Sequence, residues 1–571
     1  MTSASEATAS RPREVVEVPV LIVGGSLVGL TTAMLLASHG VPPLVVERHA
    51  GTAIHPRAGH FQIRTIEILR EMGLEPEVRE KARETYDPEG GIIAVESLAG
   101  KELARFIDNL NDGVDDRSPT GRIFVDQDVL EPILRRRAQA LGATLRYRTE
   151  MTAFDQDAQG VSAVIRNLDR GEECEVKADY MIAADGNRSR VRKAMGIEMH
   201  GYGLLSKSVT IYFEADCAPF LQGRNSGVFY VANPLLRGFF RLNRAGQRGF
   251  LAINTVGEDV TREEAVDVSA GMTEKRALEL LRAAIGVPDL PMRVRQIVPW
   301  EAEANVASRY RDGRVFLAGD AAHVVPPNGG FGGNTGVQDA HNLAWKLAMV
   351  LKGEAGPGLL ESYDRERRPV GELTVQQAYG RYATRVVPER GTGNVEPPVD
   401  DLIIEIGYRY RSAAIADDAP VDFGPDEAPV FAHPDSLRGR PGSRAPHVVL
   451  GRDGESISTL DVFGRHFVVL GGPEGGAWCT GAQETAHELG IPIDAWQIGA
   501  GGLEDVDGRF LEAYELAPAG AVLVRPDGFV AWRTNAPPDH SAQDLGRVVK
   551  SILDRAGDSG AGSRSRGSPQ K

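Results

Sequence analysis

Cysteine is scarce: the chain carries 3 in 571 residues, at Cys174, Cys217 and Cys479. No two of them form a CxxC pair or stand at metal-ligand spacing. That excludes a disulfide framework and a zinc ribbon, no metal site is expected, and a reducing cytoplasm is the expected compartment. Positive charge is also short, with 64 Lys and Arg against 79 Asp and Glu and a net charge of -15. Nucleic acid is therefore not an expected partner. Residues 1–17 are polar and lack the apolar core of a secretory signal. No internal repeat is present. Residues 18–41 hold no charged side chain, and their length alone would allow a membrane span. Pro19, Gly24, Gly25, Ser26, Gly29, Thr31, Thr32 and His39 interrupt them, so a buried strand and a buried helix are expected there, and no membrane.

What is present is ordinary for a globular chain: 42% hydrophobic and 25% charged residues. The length suits three or four domains at roughly 150 residues each. Glycine marks the informative stretches. Residues 314–347 read RVFLAGDAAHVVPPNGGFGGNTGVQDAHNLAWKL. Val315 to Ala318 read as a buried strand that breaks at Gly319-Asp320. A loop with Pro326, Pro327, Gly329, Gly330, Gly332, Gly333 and Gly336 follows. From about Gly336 to Val350 apolar residues recur at helical spacing. Glycines admit a ligand close to the backbone, and a helix start offers free N–H groups. Asp320 stands at the carboxyl end of its strand, where open α/β sheets place ligand-contacting side chains. Near the N-terminus, residues 18–23 form a β-branched run ending at Gly24-Gly25-Ser26-Leu27-Val28-Gly29. A helix to Ser38, a strand at Leu44-Val45-Val46 and Glu47-Arg48 follow. Glu47 comes about 20 residues after the first glycine, where a ribose-binding carboxylate belongs. Ser26 replaces the middle glycine of GxGxxG.

The 319–347 stretch resembles the second FAD fingerprint of the single-component (group A) aromatic hydroxylases, G-D-A-A-H-x-x-P-P-x-G-G-x-G-x-N-x-G-x-x-D-A-x-N-L-x-W-K-L, and matches it without a gap. The resemblance implies non-covalent FAD. Asp320 would hold its ribityl chain, and Pro327 and Gly332-Gly333-Asn334 would line its pyrimidine edge. Gly24, Ser26, Leu27, Gly29, Glu47 and Arg48 would form the first dinucleotide turn. Arg57, in Arg57-Ala58-Gly59, inherits the family's arginine at the phosphate–ribityl region, at a spacing one residue tighter. Gln127 matches the family's FAD-contacting glutamine. Asp185-Gly186, followed by Arg188-Ser189-Arg190-Val191-Arg192, resembles the D-G segment near the pyrophosphate; taken alone it is a turn, and whether Asp185 touches a ligand or caps the following helix stays open.

Residues 201–299 change character. Alternating runs at 209–213, 227–231, 238–242 and 249–253 suggest a strand meander, with a helix over 274–285 and a strand over 292–300. This resembles the family's substrate domain. Tyr212, Phe229, Phe239 and Phe240 are candidates for an aromatic pocket, with ordinary core packing as the alternative for each. After Ala445 an α/β unit is expected, with strands at 466–470, 495–498 and 521–524 and a helix at 483–489. It resembles the thioredoxin-like C-terminal domain of the larger hydroxylases, and with Cys479 alone it would serve structure or dimerisation.

The expected fold class is α/β with an α+β middle domain. A Rossmann-like FAD-binding domain of the para-hydroxybenzoate hydroxylase type spans 18–200 and 300–390, and the mixed-sheet substrate domain spans 201–299. A linker spans 391–440 and the thioredoxin-like domain 441–555, with disordered tails at 1–17 and 556–571. Among relatives the chain looks most like bacterial aromatic polyketide hydroxylases. That implies a flavin monooxygenase in which NADPH or NADH reduces FAD, O2 gives a C4a-hydroperoxide, and an aromatic ring is hydroxylated. The candidates for an acid–base residue are His60 and His323. Two alternatives stay open: Baeyer–Villiger insertion or epoxidation on the same fold, and a non-catalytic FAD-binding partner. Monomer and homodimer both remain open.

Overall fold

The structure, a computed structural model, describes residues 14–55, 58–224, 226–257, 266–386, 396–416, 430–499, 502–537 and 539–555. Residues 1–13, Arg57 and the tail expected at 556–571 lie outside the described residues. The chain divides into two compact units. One comprises 1–112, 121–344 and 371–398; the other comprises 113–120, 345–370 and 399–571.

The first unit holds two large sheets. In the 8-stranded sheet, Val315–Leu317, Glu173–Ala183, Glu14–Val23, Leu44–Val46 and Thr144–Arg146 lie side by side in that order and in parallel. Glu14–Val23 lies between parallel neighbours, and its end at Val20, Leu21 and Ile22 is fully buried. The helix Leu27–Ser38 that follows is buried along nearly its whole length. A central strand and a covered helix account for the uncharged run at 18–41. The strand starts at Glu14, which pairs with Cys174, so it reaches into the stretch expected as a tail. No helix among the described residues is long and apolar enough to cross a membrane.

The 9-stranded sheet is built on Met199–Ala215, Ser226–Asn233, Leu236–Leu242, Arg248–Val256 and Met292–Ala307. It also recruits Gly91–Val95 and Glu102–Ile107 from far upstream, which no local pattern announced. Its two faces differ, as the alternation of strands requires. One face carries Ile93, Phe229, Phe240, Leu251, Ile253, Val209 and Ile211 and packs on Ala277, Leu280, Leu281, Ala284 and Ile285 of the helix Glu274–Ile285. That helix is closed at both ends by its sequence: the Thr273 hydroxyl accepts from Arg276 N, and Gly286 takes the left-handed φ of 83°. The other face carries Tyr212, Tyr230, Phe239, Arg241 and Phe250.

In the second unit a 4-stranded sheet runs in the order Ile493–Gln497, Phe467–Gly471, Ala521–Val524, Val530–Thr534. The first pair is parallel and joined by the helix Gly476–Leu489; the others are antiparallel, and the helix Ser541–Ile552 closes the unit. This is a thioredoxin-like arrangement. Within the stretch expected as a linker lie a helix at Asp401–Ile406 and Tyr408 and Tyr410, both stacked on Phe529. Buried beneath lies an ionic cluster. Arg525 donates to both oxygens of Glu366 at 2.7 and 3.0 Å and also pairs with Asp527, while Lys346 donates to Glu366 Oε2 at 2.7 Å.

Candidate functional site

The site grows from the first strand's carboxyl end. Gly24 takes a φ of 106°, and a Cβ there would come within 2.2 Å of the Ala184 carbonyl oxygen. A Cβ at Gly29 would meet the Gly24 oxygen at 1.9 Å, so the turn closes only with glycine at both places. Glu47 organises this turn: Gly25 N donates to its Oε2 at 2.7 Å and His49 N to its Oε1 at 2.8 Å. Arg48 beside it is exposed.

Ser26 does more than replace a glycine. Its hydroxyl donates to Glu131 Oε1 at 2.5 Å and accepts from Gln127 Nε2 at 3.0 Å. Gln127 also donates to Glu131 Oε1 at 2.6 Å, and its Oε1 accepts from Ala58 N at 3.2 Å. The second oxygen of Glu131 accepts from Ala53 N at 2.6 Å. Fully buried, Glu131 thus ties the glycine turn to the segments at 53 and 58. Sequence reading missed it, although its place four residues after Gln127 on one helix face was the available signal. Arg57, between these anchors, lies outside the described residues.

Asp185 accepts from Arg190 N at 2.8 Å and Val191 N at 3.2 Å through Oδ2, so it caps the short helix Arg190–Ala194. Its Oδ1 is buried without a protein partner. Arg192 of the same segment donates to the Ala321 carbonyl at 2.8 Å, which joins the D-G segment to the turn bearing Asp320. Asp320 itself is exposed within the 3-10 turn Gly319–Ala321 that ends the strand Val315–Leu317.

The helix expected from Gly336 starts earlier, at Phe331, and runs to Leu351. Gly332, Gly333 and Gly336 are thus helical, not loop. A Cβ on Gly336 would meet Val28 Cγ2 at 2.5 Å and Gly319 Cα at 3.0 Å; one on Gly333 would meet Leu27 Cδ2 at 3.0 Å. Close packing against the first dinucleotide helix outweighs the helix penalty of glycine. Every polar atom of the Asn334 amide is engaged. Oδ1 accepts from Gln62 N and Thr65 Oγ1, and Nδ2 donates to the carbonyls of His60 and Gly330. Pro327 is exposed just before this helix, and its carbonyl accepts from Gly330 N.

Of the two histidine candidates, His323 is fully buried, and its Nε2 pairs with Asp339 Oδ2 at 2.8 Å. The same carboxylate oxygen accepts from Gly319 N at 3.1 Å. His323 therefore braces the Asp320 turn. His60 contributes its carbonyl to Asn334 and sets its ring 5.3 Å from Phe124.

The aromatic candidates separate. Tyr212 and Phe239 share a face with Phe250, at ring distances of 5.8 and 6.1 Å, and Tyr230 lies 5.9 Å from Phe239. His55 stacks on Tyr212 at 4.9 Å. Phe229 faces the opposite way, into the core with Phe240 and the helix Glu274–Ile285, because adjacent strand residues point to opposite sides. Arg241 stands at the edge of the aromatic face. It binds Asp126 Oδ1 at 3.1 Å and lies over the Tyr86 ring, and a Cβ on Gly59 would fall 1.4 Å from its Nη1. The face therefore abuts the 58–60 segment.

Comparison with known proteins places these features in a family. Residues 17–378 match the FAD binding domain model, and residues 438–556 match the model for the C-terminal domain of aromatic-ring hydroxylases. A 4-methyl-5-nitrocatechol 5-monooxygenase from a Burkholderia species is 53% identical, over 96% of this chain and 100% of that protein. A tetracenomycin A2 monooxygenase-dioxygenase from Streptomyces glaucescens is 41% identical, over 94% of this chain and 97% of that protein. Among solved structures, a ternary complex of aklavinone-11 hydroxylase with FAD and aklavinone superposes with a TM-score of 0.87 at 38% identity, covering 94% of this chain and 99% of that one.

Proposed function

The chain belongs to the FAD-dependent aromatic-ring hydroxylases, and from that premise we propose that it oxygenates a hydroxylated aromatic ring, in first place a substituted catechol. It is an FAD monooxygenase that uses NAD(P)H and O2. The observation that carries the substrate reading is the aromatic face of the 9-stranded sheet, which lies against the 58–60 segment. A 53% identical relative that acts on a nitrocatechol supports the ring's size class. A polycyclic aromatic polyketide is the second reading, supported by the tetracenomycin and aklavinone enzymes.

The residues present fit FAD. The tight dinucleotide-type turn closes only with glycine at positions 24 and 29, and Asp185 Oδ1 beside it is a buried acceptor in want of a donor. When bound, FAD supplies the reduction by NAD(P)H and the oxygen transfer. The chain's own groups then have separable tasks. Glu47 would carry the ribose end, and the turn at Gly24, Ser26, Leu27 and Gly29 would take the pyrophosphate at the start of the helix Leu27–Ser38. Asp320 accepts from the ribityl hydroxyls. Pro327 and the helix start at Gly332, Gly333 and Asn334 border the ring system through backbone groups. Tyr212, Phe239 and their neighbours bind the substrate ring and exclude water. His323 steadies the Asp320 turn through Asp339. A cytoplasmic site of action accords with three free cysteines.

The test is NAD(P)H oxidation by the flavin-loaded enzyme with 4-methyl-5-nitrocatechol and, separately, with tetracyclic polyketide phenols, with products identified by mass and ring connectivity. Oxygen inserted into a ring bond would replace hydroxylation by a Baeyer–Villiger reading. A yellow protein that oxidises NAD(P)H with neither substrate class would sink the substrate assignment.

A further inference from the structure

Asn328 sits on the loop between Pro327 and Gly329 and is fully buried. Its Nδ2 reaches the Tyr230 hydroxyl at 3.5 Å, the long limit of a hydrogen bond, and its Oδ1 has no protein partner. An amide oxygen buried without a donor is costly, and folded chains retain such groups where a ligand completes them. Tyr230 belongs to the aromatic face, with its ring 5.9 Å from Phe239 and 5.7 Å from Phe106. The amide therefore stands where the glycine-rich loop meets the substrate face. It is also held there. Gly329 and Gly330 take φ values of 104° and 69°, Gly330 N is bonded to Pro327 O, and Asn334 Nδ2 is bonded to Gly330 O at 2.7 Å. A loop so fastened does not turn its side chain away to find a partner elsewhere. Were Asn328 only a prop for Tyr230, the bond to the hydroxyl would be of ordinary length and the oxygen would be paired.

We propose that Asn328 is a specificity-determining residue: its Oδ1 accepts a hydrogen bond from a ring hydroxyl of the substrate, while Nδ2 and Tyr230 fix the amide's orientation. This rests on the reading that a hydroxylated ring lies on the aromatic face. The fingerprint pattern leaves position 328 unspecified, so it is a place where enzymes on this fold can differ in substrate without disturbing the cofactor.

The experiment compares the FAD-loaded wild type with Asn328→Ala and Asn328→Asp. The probes are 4-methyl-5-nitrocatechol and its two monophenol analogues, each lacking one ring hydroxyl, with binding read from perturbation of the flavin absorbance. The wild type is expected to prefer the catechol over one monophenol by about tenfold, the effect of one neutral hydrogen bond. Asn328→Ala should erase that preference by weakening only the catechol and the monophenol that keeps the read hydroxyl. FAD affinity and the rate of flavin reduction should stay as in the wild type. Asn328→Asp keeps the shape and the acceptor and should restore the preference at a pH where the catechol is protonated. Equal weakening of all three probes, or loss of FAD with the preference intact, would overturn the proposal. If the wild type binds none of the three, the catechol reading is what fails. The same comparison with a tetracyclic phenol and its deoxy analogue then decides Asn328.

Discussion

At the scale of single residues, much of the site's chemistry is indirect. Gln127 and Asn334, both expected at the cofactor, spend their amides on protein partners. Gln127 gathers Ser26, Glu131 and Ala58, and Asn334 gathers Gln62, Thr65, His60 and Gly330. They define where the backbone lies, and backbone N–H groups can do the rest. Asp320 is an exposed carboxylate on a turn braced from behind by Asp339 and His323. Asp320→Ala is expected to weaken FAD by about 1.5–3 kcal/mol, the range for a hydrogen bond to a charged acceptor. Cys479→Ala should leave FAD binding unchanged, since that thiol lies in the other unit and burial pushes it above its ordinary range. Titration of the apoprotein with FAD, followed by flavin fluorescence, reads both variants. Equal losses would contradict the role given to Asp320.

At the scale of elements, glycine shows what sequence could and could not give. The helix Glu274–Ile285 was legible to the residue, because Thr273, Gly286 and an apolar stripe all mark it. The helix starting at Phe331 was not, because Gly332, Gly333 and Gly336 read as loop when only local cost is weighed. The deciding term is a neighbour distant in sequence, Val28 and Gly319. The strand Gly91–Val95 was invisible for the same reason, since its parallel partner lies far downstream at Ser226–Asn233. Of the aromatic candidates, Phe239 and Phe240 could not both face a ligand on strand alternation alone, but only the register shows that Phe229 joins Phe240. The two origins of a helical glycine predict opposite signs for one substitution. Gly546→Ala, with nothing within 4 Å, should stabilise by up to about 1 kcal/mol through helix propensity. Gly336→Ala gains the same propensity but drives a methyl onto the Gly319 backbone, and overpacking of this kind costs about 1–3 kcal/mol. It should lower the thermal midpoint and the FAD content together. Stabilisation by both substitutions would refute the close-packing account.

At the scale of the whole molecule, two of the places where the chain passes between its two units fall inside helices, between Ala344 and Trp345 and between Val370 and Gly371. Lys346 stands just after the first of these crossings and Glu366 just before the second, in the buried cluster with Arg525 and Asp527. Burial works against the charge on Glu366, but Arg525 and Lys346 overcome it and hold the carboxyl well below its usual range. Burial opposes ionisation of Asp527 too, and Arg525 likewise brings it down. Lys346 is pulled by burial down to about 8, against the pull of Glu366. The signs follow from linkage. A carboxyl depressed in the folded state contributes stability that is fully present above its unfolded value, near 4.5 for Glu366, and is lost as pH falls toward the folded value. The depressed lysine acts the other way: its cost is fully present below about 8 and is relieved as pH rises toward its unfolded 10.5. Glu366→Gln leaves Lys346 and Arg525 with Asp527 as their remaining carboxylate in the cluster, and breaking such a buried pair costs about 3–5 kcal/mol. Urea unfolding at neutral pH should show that loss in full. The gap between variant and wild type should shrink only below pH 4.5, where Glu366 takes up a proton in the unfolded chain while the folded one still holds it ionised. Because each crossing helix is continuous, unfolding of the C-terminal unit should also unwind the helix that begins at Phe331, so flavin release should accompany the urea transition in both proteins. A gap that stays constant from pH 7 down to pH 3, or a variant as stable as the wild type, would show that the cluster carries no net electrostatic stabilisation.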